Sequence, residues 1–153
     1  MKNRTITLDS EIERIIRHCD ACNVAMVDAQ NQPYVVPMNF GYTSGFIYLH
    51  SSQTGKKIAV LRNNNRVCVS FSTDHQLRWQ NEGVACSYGM KYRSVLATGY
   101  VEFIEDDEEK RKGLDIIMSQ YTDRKFKYSP PSIKEVCVFR VVVEKLEGRA
   151  YGY

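Results

Sequence analysis

The chain has 153 residues, with 21 Lys and Arg against 18 Asp and Glu, a formal net charge of +3. Its length suits one domain of the commonest size, and 25% charged with 43% hydrophobic residues is a globular balance that argues against intrinsic disorder. No apolar run approaches the roughly 18 residues of a membrane span, the amino terminus lacks the apolar stretch of a signal peptide, and so small a charge offers nucleic acid no basic face.

In chain order, Asp9 to His18 reads as a helix with acids at its start and an apolar stripe of Ile12, Ile15 and Ile16. Val24 to Val27 is a short strand, closed by the turn-like run Asp28 to Pro33. Tyr34 to Tyr42 is a second strand with Pro37 inside it, which predicts a sheet edge, a bulge or backbone turned toward a ligand. Thr43 to Gly45 turns the chain into a strand at Phe46 to His50, and Gly55 to Arg62 follows as a short helix. Arg66 to Phe71 is a strand, and Ser72 to Met90 has no firm period and reads as a long loop over a substrate pocket or dimer contact. Tyr92 to Ile104 is a long strand, Asp106 to Met118 a helix, Arg124 to Ser132 a basic connector, and Val136 to Leu146 a final strand. Strands dominate and most connections are short, so the expected class is mainly β (α+β): a small barrel of mostly antiparallel strands with peripheral helices, one domain over 1–153.

Five cysteines without a regular framework suit a reducing compartment, so the expected location is cytoplasmic. Cys19 and Cys22 have CxxC spacing, but no second pair completes a zinc site and the pair follows a helix rather than a strand. The plain reading is two small buried residues leading into a strand, and no metal site is expected. The run Ser51-Ser52-Gln53-Thr54-Gly55-Lys56-Lys57 after His50 puts hydroxyls, a glycine and two cations at a strand-to-helix corner. A phosphate needs such donors, though a solvated helix start fits the run equally well. Lys91 to Ser94 is a second anion candidate, against the plain reading of a surface arginine on a strand. The charged run Glu105 to Lys112 reads as a solvated helix start. No nucleophile–base pair is visible, so an enzyme built on this chain needs a cofactor for its reactivity.

Taken together, Pro33-Tyr-Val-Val-Pro-Met-Asn-Phe-Gly-Tyr42, Ile47-Tyr-Leu-His-Ser-Ser52, Gly55-Lys-Lys57 and Asn65-Arg-Val-Cys-Val69 resemble the pyridoxamine 5'-phosphate oxidase-like flavoproteins. Met90-Lys-Tyr-Arg-Ser-Val95, with Gly99 and an acidic helix start after it, resembles the branch related to 5-nitroimidazole resistance proteins. The resemblance spans about Cys22 to Gly148. It implies a split β-barrel, a two-fold homodimer, and FMN in clefts between the subunits. By the same resemblance Val36, Pro37, Met38 and Asn39 lie along the isoalloxazine ring. His50, Ser51, Gly55, Lys56 and Lys57 match the phosphate corner, and Arg93 and Ser94 match a second basic motif serving flavin or interface. His50 best matches a histidine implicated near the flavin, which makes it the catalytic candidate, with Tyr92 a weaker one.

The resemblance thus implies an FMN-dependent oxidoreductase passing electrons from a reduced nicotinamide, NAD(P)H, or another donor to a small acceptor such as a nitro compound. Two other readings stand beside it: a flavin-binding module without turnover, and a haem-binding split barrel with His50 or His75 as ligand. There are departures. Lys56 stands where the family often has Arg, Leu146-Glu-Gly-Arg149 replaces a Thr-Gly-Lys-type ending, and the carboxy-terminal Arg/His set of the pyridoxal-forming enzymes is not visible.

Overall fold

A computed structural model describes residues 2–153. Eight strands and four helices follow in order: β1 (Asn3–Ile6), α1 (Asp9–Arg17), β2 (Cys22–Val27), β3 (Pro33–Met38), β4 (Gly41–Thr43), β5 (Phe46–Ser52), α2 (Lys56–Asn63), β6 (Arg66–Arg78), β7 (Gly89–Ile104), α3 (Asp107–Ser119), α4 (Pro130–Glu135) and β8 (Val136–Tyr151). All strand pairs are antiparallel. The strand order is β3-β2-β6-β7-β8-β5-β4, with β1 pairing to the far half of β8. The two edge strands, β3 and β4, are neighbours in sequence, joined by Asn39 and Phe40 alone. A two-residue link between opposite edges forces the sheet to curl on itself, leaving a seam between β3 and β4: a split barrel. No described helix is long and apolar enough to cross a membrane.

The barrel is filled from alternate strand positions. Phe40, Phe71, Phe139, Ile47, Leu49, Val24 and Val69 are all but sealed from water, each stabilising the fold by about 1.5–3 kcal/mol of apolar burial. Phe40 meets Phe71 edge to face at 4.9 Å, the favoured aromatic geometry. Helix α1 buries Ile12, Ile15 and Ile16, and Arg14 and Arg17 in its last turn suit the negative end of its dipole. The Asp106 carboxylate caps α3 by accepting the Glu109 N–H at 3.0 Å. Gly99 is required by close approach, since a Cβ there would stand 1.9 Å from the Val142 carbonyl oxygen. It adjoins the register shift between Thr98 and Gly99, a bulge of the kind that bends long strands around a barrel.

Four expectations are corrected. Ser72 to Met90 is mostly sheet: β6 runs to Arg78 and β7 starts at Gly89, leaving only a tip with a 3-10 turn at Ala85–Ser87. Its period was hidden because both faces of that arm are solvated and the register slips between Thr73 and Gln76, where Asp74 has φ 57°. The strand expected over 34–42 breaks at the seam into β3 and β4. Part of the basic connector is α4, capped by Ser129 with two prolines at its start, where their missing N–H groups cost nothing. The last strand continues to Tyr151 because β1, which has too few residues to show a pattern, pairs with that extension.

Candidate functional site

At the corner after β5 the chain turns through Gly55, whose φ of 123° disfavours any side chain. The Ser51 hydroxyl donates to the Ser52 carbonyl at 2.8 Å, and the Ser52 hydroxyl to the Thr54 carbonyl at 2.9 Å. Both hydroxyls brace the turn, and no side chain caps α2. The first backbone bond of α2 joins the Ala59 N–H to the Gly55 carbonyl at 3.1 Å, so the amides of Lys56, Lys57 and Ile58 lack helical partners. The first turn holds no acid, and two lysines stand at the positive end of the dipole. Each opposes that dipole by about 0.3–1 kcal/mol, a cost that a bound anion reverses.

The edge strand lies against this helix start. The Lys56 ammonium sits 4.3 Å from the centre of the Tyr34 ring, fastening α2 to β3. Along β3, Val36 and Met38 turn inward, while Pro37 and the following Asn39 are exposed. Pro37 pairs opposite Asn23 on the outermost strand of the sheet, an edge being where a residue without an N–H is tolerated. The seam after it is fixed: the Phe40 N–H donates to the Tyr121 hydroxyl at 3.1 Å, and that hydroxyl donates to the Asp20 carbonyl at 2.9 Å. His50 lies opposite Val138 with its side chain exposed. Partial desolvation, then the charge of Lys57, hold its pKa below the ordinary imidazole value, so the ring is mainly neutral at pH 7. Edge strand, histidine, two lysines and the open amides of α2 therefore form one region.

Arg93 and Ser94 are elsewhere in the protomer. Arg93 pairs opposite Ala150 and His50 opposite Val138 on the same strand, β8. The interval from Val138 to Ala150 is twelve residues, about 40 Å of extended chain. Arg93 Nη1 donates to Asp74 at 2.6 Å, and the guanidinium lies 3.8 Å from the centre of the Tyr153 ring. Its Nε is buried without a partner. The other Asp74 oxygen is 3.1 Å from His18 Nδ1. Arg93, Asp74 and His18, with Arg14, Ile15 and Arg17, line an open cleft of about 510 Å³. Tyr92 belongs to this end too, its ring 6.5 Å from that of His75, whose Nε2 is 2.7 Å from the Ser72 hydroxyl. Neither residue accompanies His50.

The CxxC pair carries no reactive thiol. Cys19 and Cys22 are buried, and desolvation pushes their thiols up to about 11 and about 12. Each donates to a backbone carbonyl, Cys19 to Ile15 at 3.3 Å and Cys22 to Met38 at 3.6 Å.

Sequence reasoning missed two residues and misjudged a third. The sequence marks Tyr34 only as part of a motif, and Gln53 only as part of the corner. In the run Glu105 to Lys112, taken as solvated, Arg111 and Lys112 do pair on the surface with Glu108 and Glu109, but Lys110 is 5% exposed. The spacing of Lys110, Gly113 and Ile117 was the available signal, because it puts all three on the inward stripe of α3.

The pyridoxamine 5'-phosphate oxidase family pattern matches residues 9–150. A protein provisionally assigned to 5-nitroimidazole antibiotic resistance, from Bacteroides thetaiotaomicron, is 47% identical over 97% of this chain and 87% of its own, with a TM-score of 0.88. An FAD-binding protein from Mesorhizobium loti is 25% identical over 99% of this chain and all of its own, with a TM-score of 0.72. The flavocytochrome Anf3 from Azotobacter vinelandii, 18% identical over 99% of this chain and 70% of its own, shares the fold with a TM-score of 0.81. No curated protein sequence matches. The chain belongs to the pyridoxamine 5'-phosphate oxidase family, beside the 5-nitroimidazole resistance relative.

Proposed function

We propose that this protein binds FMN and uses it as an oxidoreductase, passing electrons from NAD(P)H or another donor to a small acceptor such as a nitroimidazole. The observation that carries the reading is the start of α2: open amides, two lysines and no acid, tied by Lys56 to the exposed edge of β3. That donor set fits a phosphate monoester on a flat, partly apolar ring. The FAD-binding relative and the resistance relative support the flavin and the acceptor class respectively.

In this reading Lys56, Lys57 and the α2 amides hold the phosphate, with Ser51 and Gly55 shaping the turn. Val36, Pro37, Met38 and Asn39 present the β3 edge to the ring. The bound flavin supplies the electron-transfer chemistry. The lysines keep the region positive, which favours an anionic reduced ring. His50, mainly neutral, accepts a hydrogen bond or relays a proton toward the acceptor rather than standing charged as a permanent acid. Arg93 and Ser94 reach the same ligand only from a second copy, so the reading entails a homodimer with shared sites.

The test is anaerobic. The photoreduced, FMN-loaded protein is mixed with a nitroimidazole and the return of flavin absorbance is followed. Reoxidation supports the acceptor class. Reduced flavin that ignores nitroaromatics while reacting with quinones contradicts it.

A further inference from the structure

Lys110 breaks two local rules at once. It is a cation in the second turn of α3, near the positive end of that helix, and it is a buried lysine with no carboxylate partner. Such breaches concentrate where a residue serves something other than its own helix. Its ammonium donates to the Ile133 carbonyl at 3.2 Å and the Val136 carbonyl at 3.0 Å. These are carbonyls at the end of α4, where a helix presents unsatisfied acceptors and partial negative charge.

The Val136 carbonyl has a second donor. The Gln53 side-chain amide reaches it at 3.1 Å and the Lys134 carbonyl also at 3.1 Å. Gln53 lies in the corner, between the Ser52 end of β5 and the Gly55 start of α2. One carbonyl thus joins a buried charge to the loop that sets the α2 amides and the two lysines. Capping α4 alone would need no residue from that loop. Gln53 is otherwise a surface residue, with nothing else in its own loop holding its side chain.

We infer that Lys110 is a positioning residue for the anion corner. Acting with Gln53 through the end of α4, it fixes the loop 51–57 so that the corner discriminates for a phosphate-bearing ligand. The inference rests on the phosphate reading of the corner. It adds that selectivity depends on a lysine in another helix that does not touch the ligand.

The experiment compares wild type, Lys110→Met and Gln53→Ala as full chains. FMN and riboflavin are titrated by flavin fluorescence, and backbone amide exchange is measured without flavin. Gln53→Ala removes the side-chain link from the solvent side while leaving Ser52 paired with Val136 in the sheet, so it reports even where the buried variant folds poorly. Each variant should lower FMN affinity about ten-fold and change riboflavin affinity less than about two-fold, with exchange speeding up over residues 53–58. The double variant should lose no more than Lys110→Met alone, as expected of two groups acting through one link. Equal losses for the two ligands, or unchanged FMN affinity in Gln53→Ala, overturn the inference. A wild type that binds both flavins equally overturns the phosphate reading instead. The positioning link then stands on faster exchange at 53–58 and falls on unchanged exchange.

Discussion

The ammonium of Lys56 lies 4.3 Å from the centre of the Tyr34 ring, and this contact joins the first turn of α2 to the edge strand β3. It orients a lysine that would otherwise sample solvent, and it holds the two halves of the proposed flavin site at a set distance. A cation over a tyrosine is worth about 0.5–1 kcal/mol at such a partly exposed position. Tyr34→Leu should therefore lower the thermal midpoint by about 1–4 °C and, by freeing Lys56, also weaken FMN binding about two- to five-fold. Fluorescence titration beside a thermal melt checks both. A loss of stability without loss of affinity would make Tyr34 a packing residue.

His50 sets a pH dependence whose sign follows from its environment. Desolvation and Lys57 hold the folded-state pKa below the ordinary value of about 6.5. The unfolded chain takes up this proton first as pH falls. The stability linked to His50 is thus fully present above about pH 6.5 and is lost between there and the folded-state pKa. Urea unfolding at pH 7.5 and pH 5.5 should show a smaller acid loss in His50→Gln than in wild type. The same variant should keep FMN and slow reoxidation by a nitroimidazole. If it loses the flavin, His50 belongs to the binding shell and its part in proton transfer is wrong.

The twelve-residue interval on β8 between the registers of His50 and Arg93 yields a prediction about subunits. For the proposed homodimer, mixing an Arg93→Ala chain with a chain carrying Lys56→Ala and Lys57→Ala should create heterodimers. In these, one composite site has a wild-type corner from one copy and Arg93 from the other. Titration should then find one tight FMN site per heterodimer, although neither homodimer binds tightly. No recovery on mixing would place Arg93 outside the site, as a partner of Asp74 and Tyr153 only.

How much was legible in the sequence follows from which residues have local causes. Ile12, Ile15 and Ile16 announce α1 because a buried stripe at helical spacing needs no tertiary information. The Pro37 edge and the corner at Gly55 were equally readable, each reflecting a backbone restriction carried by one residue type. The arm from Ser72 to Arg78 was not, because strand residues solvated on both faces lack the alternation that marks a strand. Lys110 was misjudged for a similar reason. Its acceptors lie 23 and 26 residues downstream, and only the folded end of α4 makes a buried ammonium tolerable there. Arg93 had the right chemistry for an anion, but its register on β7 against β8 is a property of the sheet, invisible in its neighbours.

The start of α2 is proposed as the phosphate site for a flavin mononucleotide, and a comparison of two flavins separates this from the alternatives. FMN and riboflavin are titrated against wild type and against the Lys56→Ala, Lys57→Ala double variant. Wild type should bind FMN with a flavin absorbance spectrum and prefer it to riboflavin. The double variant should lose about 3–6 kcal/mol of FMN affinity, since charge-assisted hydrogen bonds contribute about 1.5–3 kcal/mol each, while riboflavin affinity hardly moves. Wild-type protein that ignores FMN and instead takes up haem with a Soret band, or equal losses for the two flavins in the variant, would contradict it.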